Sequence, residues 1–164
     1  MNAGRIYLFA VGMRNLGFST TFTLMVVYLI RELGVNPVQV VLPATAYEVT
    51  QFLFEVPTGV VADVYSRRLS VIIGYVLVGA GIMLMGSIVR YEMVVLGMIV
   101  AGIGATFISG AFSAWLVDEV GQEAASQAFL RNTQIRLIVS ILGIILSVTL
   151  GSIGLNLPFL VGGG

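Results

Sequence analysis

The sequence lacks cysteine, histidine and lysine, and it has little charge of either sign. Without cysteine there is no disulfide framework, no thiolate nucleophile and no cysteine metal site. Without histidine the commonest general base and metal ligand is missing. Eight arginines balance eight acidic residues, so the formal net charge is zero and no clustered basic surface is available for nucleic-acid phosphates. The composition therefore argues against an enzyme, and we expect no cofactor, no metal ion and no nucleic-acid partner.

Apolar side chains are abundant instead. Hydrophobic residues make up 58% of the chain and charged residues 10%, whereas a soluble domain has about a quarter of its residues charged. The mean hydropathy is +1.04. Such a chain cannot cover itself with polar surface, so we expect an all-α, polytopic, integral membrane protein.

The apolar residues fall into five long segments and the start of a sixth. A helix needs about 20 residues to cross the hydrocarbon core of a bilayer. The predicted spans are 6–30, 37–62, 69–89, 93–117 and 127–150, and a sixth starts at 156–164. Because the sixth segment stops soon after it begins, residues 1–164 are interpreted as one domain, the N-terminal transmembrane half of a longer protein.

A short charged segment, residues 59–68, joins the second and third spans and is called the elbow below. Its pattern resembles the loop between the second and third helices of major facilitator superfamily (MFS) transporters, Gly-x-x-x-Asp-[Arg/Lys]-x-Gly-Arg-[Arg/Lys]. Four residues match this signature: Gly59, Asp63, Arg67 and Arg68. Val64 and Ser66 depart from it, where the family usually has a base and a glycine.

The resemblance implies the N-terminal six-helix bundle of a secondary transporter that moves a small solute by alternating access. It implies a bacterial plasma (inner) membrane, a cytoplasmic N-terminus, and a C-terminal half, the bilayer and a small-molecule substrate as partners. Protons are a further expected partner, because the second span carries the carboxyl groups of Glu48 and Glu55. In the family an acidic residue at the cytoplasmic end of the fourth helix joins the elbow charges in a conformational lock, and Asp118 matches that position by location.

The placement of arginine agrees with this orientation. With the N-terminus in the cytoplasm, the inner side holds Arg5, Arg67, Arg68 and Arg131, and the outer side holds Arg31 and Arg90. This excess on the inner side is what the positive-inside rule predicts.

Three charged residues, Arg14, Glu55 and Arg136, lie roughly 12–13 Å inside their spans at 1.5 Å per residue. A charge at the bilayer centre costs at least ~2.5 kcal/mol, so it normally faces a protein interior or a water-filled cavity. Helical spacing puts further polar residues on the same faces. The candidate substrate and coupling residues are Arg14, Glu48, Gln51, Glu55, Asn132 and Arg136. Glu48 or Glu55 would be the proton-coupling site.

Structural interpretations remain open beside these functional ones. Arg14 and Glu55 could neutralise each other as a structural pair, Gln51 and Asn132 could join helices, and the elbow arginines could only fix topology. The glycines of the third and fourth spans, from Gly74 to Gly110, are expected to bring helices close together. The chain could also be a membrane scaffold that oligomerises through these glycine faces, or the anchor of a larger enzyme.

Overall fold

The structure, a computed structural model, describes residues 3–164, and over that part of the chain it contains α-helices and no β-strand. Residues 1 and 2 of the predicted domain lie outside the described residues. The helices are α1 (Ala3–Phe22), α2 (Met25–Arg31), α3 (Pro37–Val64), α4 (Arg67–Ser87), α5 (Tyr91–Ile108), α6 (Ala111–Val120), α7 (Gln122–Gly151) and α8 (Leu157–Gly163). The all-α prediction is confirmed for the described chain.

Three stretches of the described chain are long and apolar enough to cross a membrane. They are α4, the stretch from Tyr91 to Val120 that contains α5 and α6, and α7. The second predicted span corresponds to α3, which is 28 residues long and carries Glu48, Glu55 and Asp63. The count of five complete spans and the start of a sixth stays a prediction.

The first predicted span contains two helices, because the chain bends between α1 and α2. At the bend, the hydroxyl of Thr23 donates to the carbonyl oxygen of Ser19 at 2.5 Å, and the Thr23 amide reaches the same oxygen at 3.3 Å. A threonine hydroxyl that bonds back to the carbonyl four residues earlier competes with the backbone ladder and bends a helix. The continuous hydropathy of residues 6–30 did not indicate this break.

The fourth predicted span is also interrupted, between α5 and α6. Gly110 has a φ of +66°, a left-handed conformation that glycine adopts without steric cost. A Cβ built on Gly110 would have no neighbour within 4 Å. Gly110 therefore lies in the break between α5 and α6, as the N-cap of α6, and the prediction that it brings two helices together is wrong.

A third break, at Gly121, separates α6 from α7. Gly121 has a φ of +79°. The acidic segment 118–123, which falls between the fourth and fifth predicted spans, is otherwise helical, since Asp118 lies in the last turns of α6 and Glu123 in the first turn of α7. An acidic residue in a first turn is favourable because it faces the positive end of the helix dipole.

Glycines hold α4 and α5 in close contact. A Cβ on Gly97 would lie 2.5 Å from the carbonyl oxygen of Gly81, and one on Gly81 would lie 2.6 Å from that of Gly97. Gly74 and Gly104 form a second reciprocal pair, with 2.7 Å in both directions. Only glycine allows this separation, so these four residues act as the sequence predicted.

Two clusters of buried apolar side chains lie at opposite ends of the bundle. The elbow cluster contains Tyr7, Val11, Ala62, Val71, Ile108, Ala111, Phe112, Leu116, Ala125 and Ala128. The distal cluster contains Met25, Tyr28, Leu29, Met85, Val94, Met98, Ala101 and Phe159. Aromatic pairs anchor both clusters: the rings of Tyr7 and Phe112, and those of Tyr28 and Phe159, have centroids 4.7 Å apart.

The helix contacts have an internal correspondence. In sequence order, the pair α1 and α2 corresponds to the pair α5 and α6, α3 corresponds to α7, and α4 corresponds to α8. Helix α1 packs against α7 as α5 packs against α3, and α4 packs against α5 as α8 packs against α1. Helix α4 also packs against its own counterpart, α8. This is the pattern expected of two three-helix repeats related by a two-fold axis.

Candidate functional site

A cleft of about 840 Å³ lies between the elbow cluster and the distal cluster and is called the central cleft below. Helices α1, α3, α4, α5, α7 and α8 all contribute to its lining. Its polar lining residues are Arg14, Asn15, Thr20, Tyr47, Gln51, Tyr75 and Ser109. Of the residues predicted from the sequence, Arg14 and Gln51 therefore line the central cleft, and Glu48, Glu55, Asn132 and Arg136 are outside its lining.

Arg14 comes from the middle of α1. Within residues 3–164 its guanidinium makes no ion pair, so the structure does not join Arg14 to Glu55 as the structural alternative required. Two tyrosines, Tyr47 and Tyr75, line the same cleft. A cation among aromatic side chains, with no carboxylate against it, is the most distinctive feature of the central cleft.

Glu55 lies on α3 and meets the break between α5 and α6. The hydroxyl of Ser109 donates to a carboxylate oxygen of Glu55, with a long O···O distance of 3.5 Å. Ser109 also lines the central cleft. Glu55 is therefore one residue removed from the cleft wall, and its carboxylate contacts the point at which the fourth predicted span bends.

The remaining predicted residues lie elsewhere. Glu48 on α3 and Arg136 on α7 are exposed. Asn132, one turn before Arg136, is half-buried, and its side-chain oxygen is buried without a hydrogen-bond partner in the described chain. Among residues 3–164, no three acidic side chains come together as a metal-binding group.

Ser66 explains why α4 begins earlier than predicted. Its hydroxyl oxygen accepts a hydrogen bond from the amide of Leu69 at 3.3 Å, so Ser66 is the N-cap of α4. Serine is among the most favourable N-cap residues because its side chain satisfies an otherwise unpaired helix amide. The departure from the family signature at this position thus supplies a helix cap, and Arg67 becomes the first residue of α4.

Arg67 joins the elbow to the end of α6. One nitrogen of its guanidinium lies 2.6 Å from a carboxylate oxygen of Asp118, and another lies 3.3 Å from one of Asp63. The planar guanidinium suits such simultaneous contacts because it presents several donors in fixed directions. Arg68, the next residue, is exposed and makes no ion pair with any residue from 3 to 164. The structure therefore separates two arginines that the sequence pattern had grouped.

Sequence reasoning missed Tyr75 and Ser109 as residues of the central cleft. Nothing in the third span marked Tyr75, which lies among glycine and aliphatic residues. Ser109 had a weak signal, since a serine followed by glycine often marks the end of a helix. Both are brought to the cleft by packing between helices that lie far apart in sequence.

Apolar helices, a polar central cleft and a charged elbow together define a multi-pass membrane protein. The profile of the Major Facilitator Superfamily matches residues 7–164, and the chain belongs to that family. Membership of this transporter family points to a protein that is not an enzyme.

A similar protein is YxaM of Bacillus subtilis (strain 168), an uncharacterised MFS-type transporter. The two are 28% identical over 149 residues, which cover 91% of this chain and 37% of YxaM. The chain thus corresponds to little more than a third of the length of this relative.

Proposed function

We propose that the chain is the N-terminal half of a secondary transporter that moves a small solute across a bacterial plasma membrane by alternating access, coupled to protons. The observation that supports this most is the central cleft, a polar space with an unpaired arginine between two apolar clusters of a membrane helix bundle. In this proposal the N-terminus is cytoplasmic, and a C-terminal half faces the cleft.

Alternating access needs contacts that form and break at the ends of the bundle. The ion pairs of Arg67 are largely exposed, and exposed ion pairs contribute little net stability. They are therefore suited to reversible closure at the cytoplasmic end. The breaks at Thr23 and Gly110 lie in corresponding helices near opposite ends of the bundle, which allows each end segment to tilt separately.

Glu55 is the proposed proton-coupling residue. As a carboxylate it can only accept the hydrogen bond from Ser109, whereas the protonated acid can also donate. Proton binding would therefore change the contact at the break between α5 and α6. Glu48 is the second candidate, and we assign Asn132 and Arg136 to contacts with the absent half, since α7 leaves these groups without a partner in the described chain.

The alternative of a scaffold that oligomerises through glycine faces is less well supported. The glycines at 74, 81, 97 and 104 already contact one another between α4 and α5. A second chain could not use the same surface unless the two helices separated.

The proposal is tested with the full-length protein reconstituted into liposomes with a pH gradient, against a panel of organic acids, amines and sugars. We expect gradient-driven uptake of at least one solute. Glu55→Gln should abolish its dependence on the gradient, while Glu32→Gln, a change at an exposed end residue, should not. Cysteine at 32 should be labelled from outside intact cells and cysteine at 65 from inside only. Absence of any solute movement by correctly oriented protein contradicts the proposal.

A further inference from the structure

The central cleft has a net positive charge. Arg14 is the single charged residue among the described residues that line it. A charged group within a membrane protein is costly unless another group compensates it, and no carboxylate within residues 3–164 lies within ion-pair distance of this guanidinium. An anion in the cleft would supply the missing charge.

Two hydroxyl groups of the cleft lining are also unsatisfied. The side-chain oxygens of Tyr75 and Thr20 are buried, and neither has a hydrogen-bond partner in the described part of the chain. Leaving a buried hydroxyl unpaired costs about 1–3 kcal/mol. Arg14 and Tyr75 line the same cleft, so one acceptor group bound by the guanidinium could also receive the Tyr75 proton in a hydrogen bond.

The rest of the lining is apolar and rich in aromatic side chains. It includes Phe9, Met13, Phe18, Tyr47, Ile82 and Leu146. A volume of about 840 Å³ falls within the roughly 300–1,000 Å³ of small-molecule sites. A sugar would leave many of its hydroxyl groups without partners here, and an inorganic anion would leave the aromatic walls unused.

We infer that the central cleft selects an organic anion with an aromatic or other apolar body, whose carboxylate-like group binds Arg14 and Tyr75. This inference rests on the proposed function, because it names the substrate class of the same cleft. Arg14 supplies charge-assisted hydrogen bonds, Tyr75 supplies a neutral donor, and the aromatic side chains bury the apolar body.

The test uses the full-length protein and matched probes of nearly equal size: 3-phenylpropionate, its neutral amide and the cationic 3-phenylpropylamine, with indole-3-acetate and its amide as a second pair. Thermal stabilisation of purified protein measures binding, and uptake into liposomes measures transport. We expect both carboxylates to bind roughly 10–100-fold more tightly than their amides, as hydrogen bonds to a charged group imply.

Variants assign the preference to its residues. Arg14→Gln should remove the preference for carboxylate over amide, and Arg14→Lys should keep part of it. Tyr75→Phe should weaken carboxylate binding about tenfold, the effect of losing one hydrogen bond to a charged partner. Arg5→Gln is the matched control, since Arg5 lies on the same helix, is exposed and does not line the cleft.

The possible failures are distinct. Uptake of the amine, or of a sugar, without uptake or binding of either carboxylate overturns the inference and leaves the proposed transporter intact. That result would indicate that an acidic residue of the absent half neutralises Arg14. An Arg14→Gln protein that is folded and still prefers carboxylates also overturns the inference. Movement of no solute of any charge contradicts both the inference and the proposed function.

Discussion

Helices α4 and α5 and helix α7 have similar apolar composition but opposite surroundings. In their most apolar stretches, 39% of the residues of α4 and 44% of those in the Tyr91–Val120 stretch are buried, against 11% in α7. Gly74, Gly81, Gly97 and Gly104 bring α4 and α5 together. Most of α7 instead presents large aliphatic side chains outward, including Leu137, Ile138, Ile141, Leu142 and Ile145. Apolar composition therefore identifies the segments that can cross a membrane, whereas the glycines indicate which of these helices pack closely against each other.

The comparison has a functional side. The interface between α4 and α5 at these four glycines is called the glycine seam below. There the two backbones are in direct contact, and no side chain could be added without moving the helices apart. Helix α7 contacts α1 along one side, and its outer face has no packing partner in the described chain. This difference fits a bundle with a rigid interior and flanking helices whose outer faces are free to meet lipid or another part of a protein.

The largest expected effect comes from matched leucines in the two regions. Leu116 is 0% exposed in the elbow cluster, whereas Leu137 on the outer face of α7 is 61% exposed. Leu116→Ala should lower the free energy of unfolding by about 2–5 kcal/mol through lost contacts and a cavity. Leu137→Ala should cost much less. Denaturant or thermal unfolding of the full-length protein measures both, and equal losses would mean that a partner buries the outer face of α7.

A smaller effect is expected at the seam itself. A methyl group on Gly97 would lie 2.5 Å from the Gly81 carbonyl oxygen, whereas one on Gly12 would lie 3.7 Å from the side chain of Ile135, an ordinary contact. Gly97→Ala should therefore destabilise the protein by about 1–3 kcal/mol, as overpacking does, and Gly12→Ala should not. The same unfolding measurement applies, and a stable Gly97→Ala protein would show that the seam is looser than the structure indicates.

The sequence predicted the all-α fold, the elbow and the glycine seam, because each depends on local composition or spacing. It placed Arg14 and Arg136 at one depth, but depth alone does not say towards which neighbour a residue points. Contacts between distant helices decide that: both arginines are exposed, and of the two Arg14 lines the central cleft while Arg136 lies on α7 outside that lining. The helix breaks were missed for a different reason, since the hydroxyl of Thr23 and the left-handed Gly110 act within runs of unchanged hydropathy.

The smallest effect on stability, and the largest on transport, is expected at the elbow. Arg67→Ala removes the contacts with Asp63 and Asp118, while Arg68→Ala removes a side chain that has no ion pair in residues 3–164. Both variants should insert and unfold like the unmodified protein, since exposed pairs contribute little to stability. Only Arg67→Ala should slow transport. Equal transport by the two variants would mean that these arginines act as topological signals alone.

The central claim, that the contact between Arg67 and Asp118 controls alternating access, is tested most directly by exchanging the two charges. Transport rates are measured in liposomes for Arg67→Asp, Asp118→Arg and the double variant, at equal amounts of inserted protein. Each single change replaces an attraction between opposite charges, which now lie 2.6 Å apart, by a repulsion between like charges. Each should therefore reduce the rate strongly, and the double variant should recover a large part of it. A double variant no faster than the slower single variant would contradict the claim.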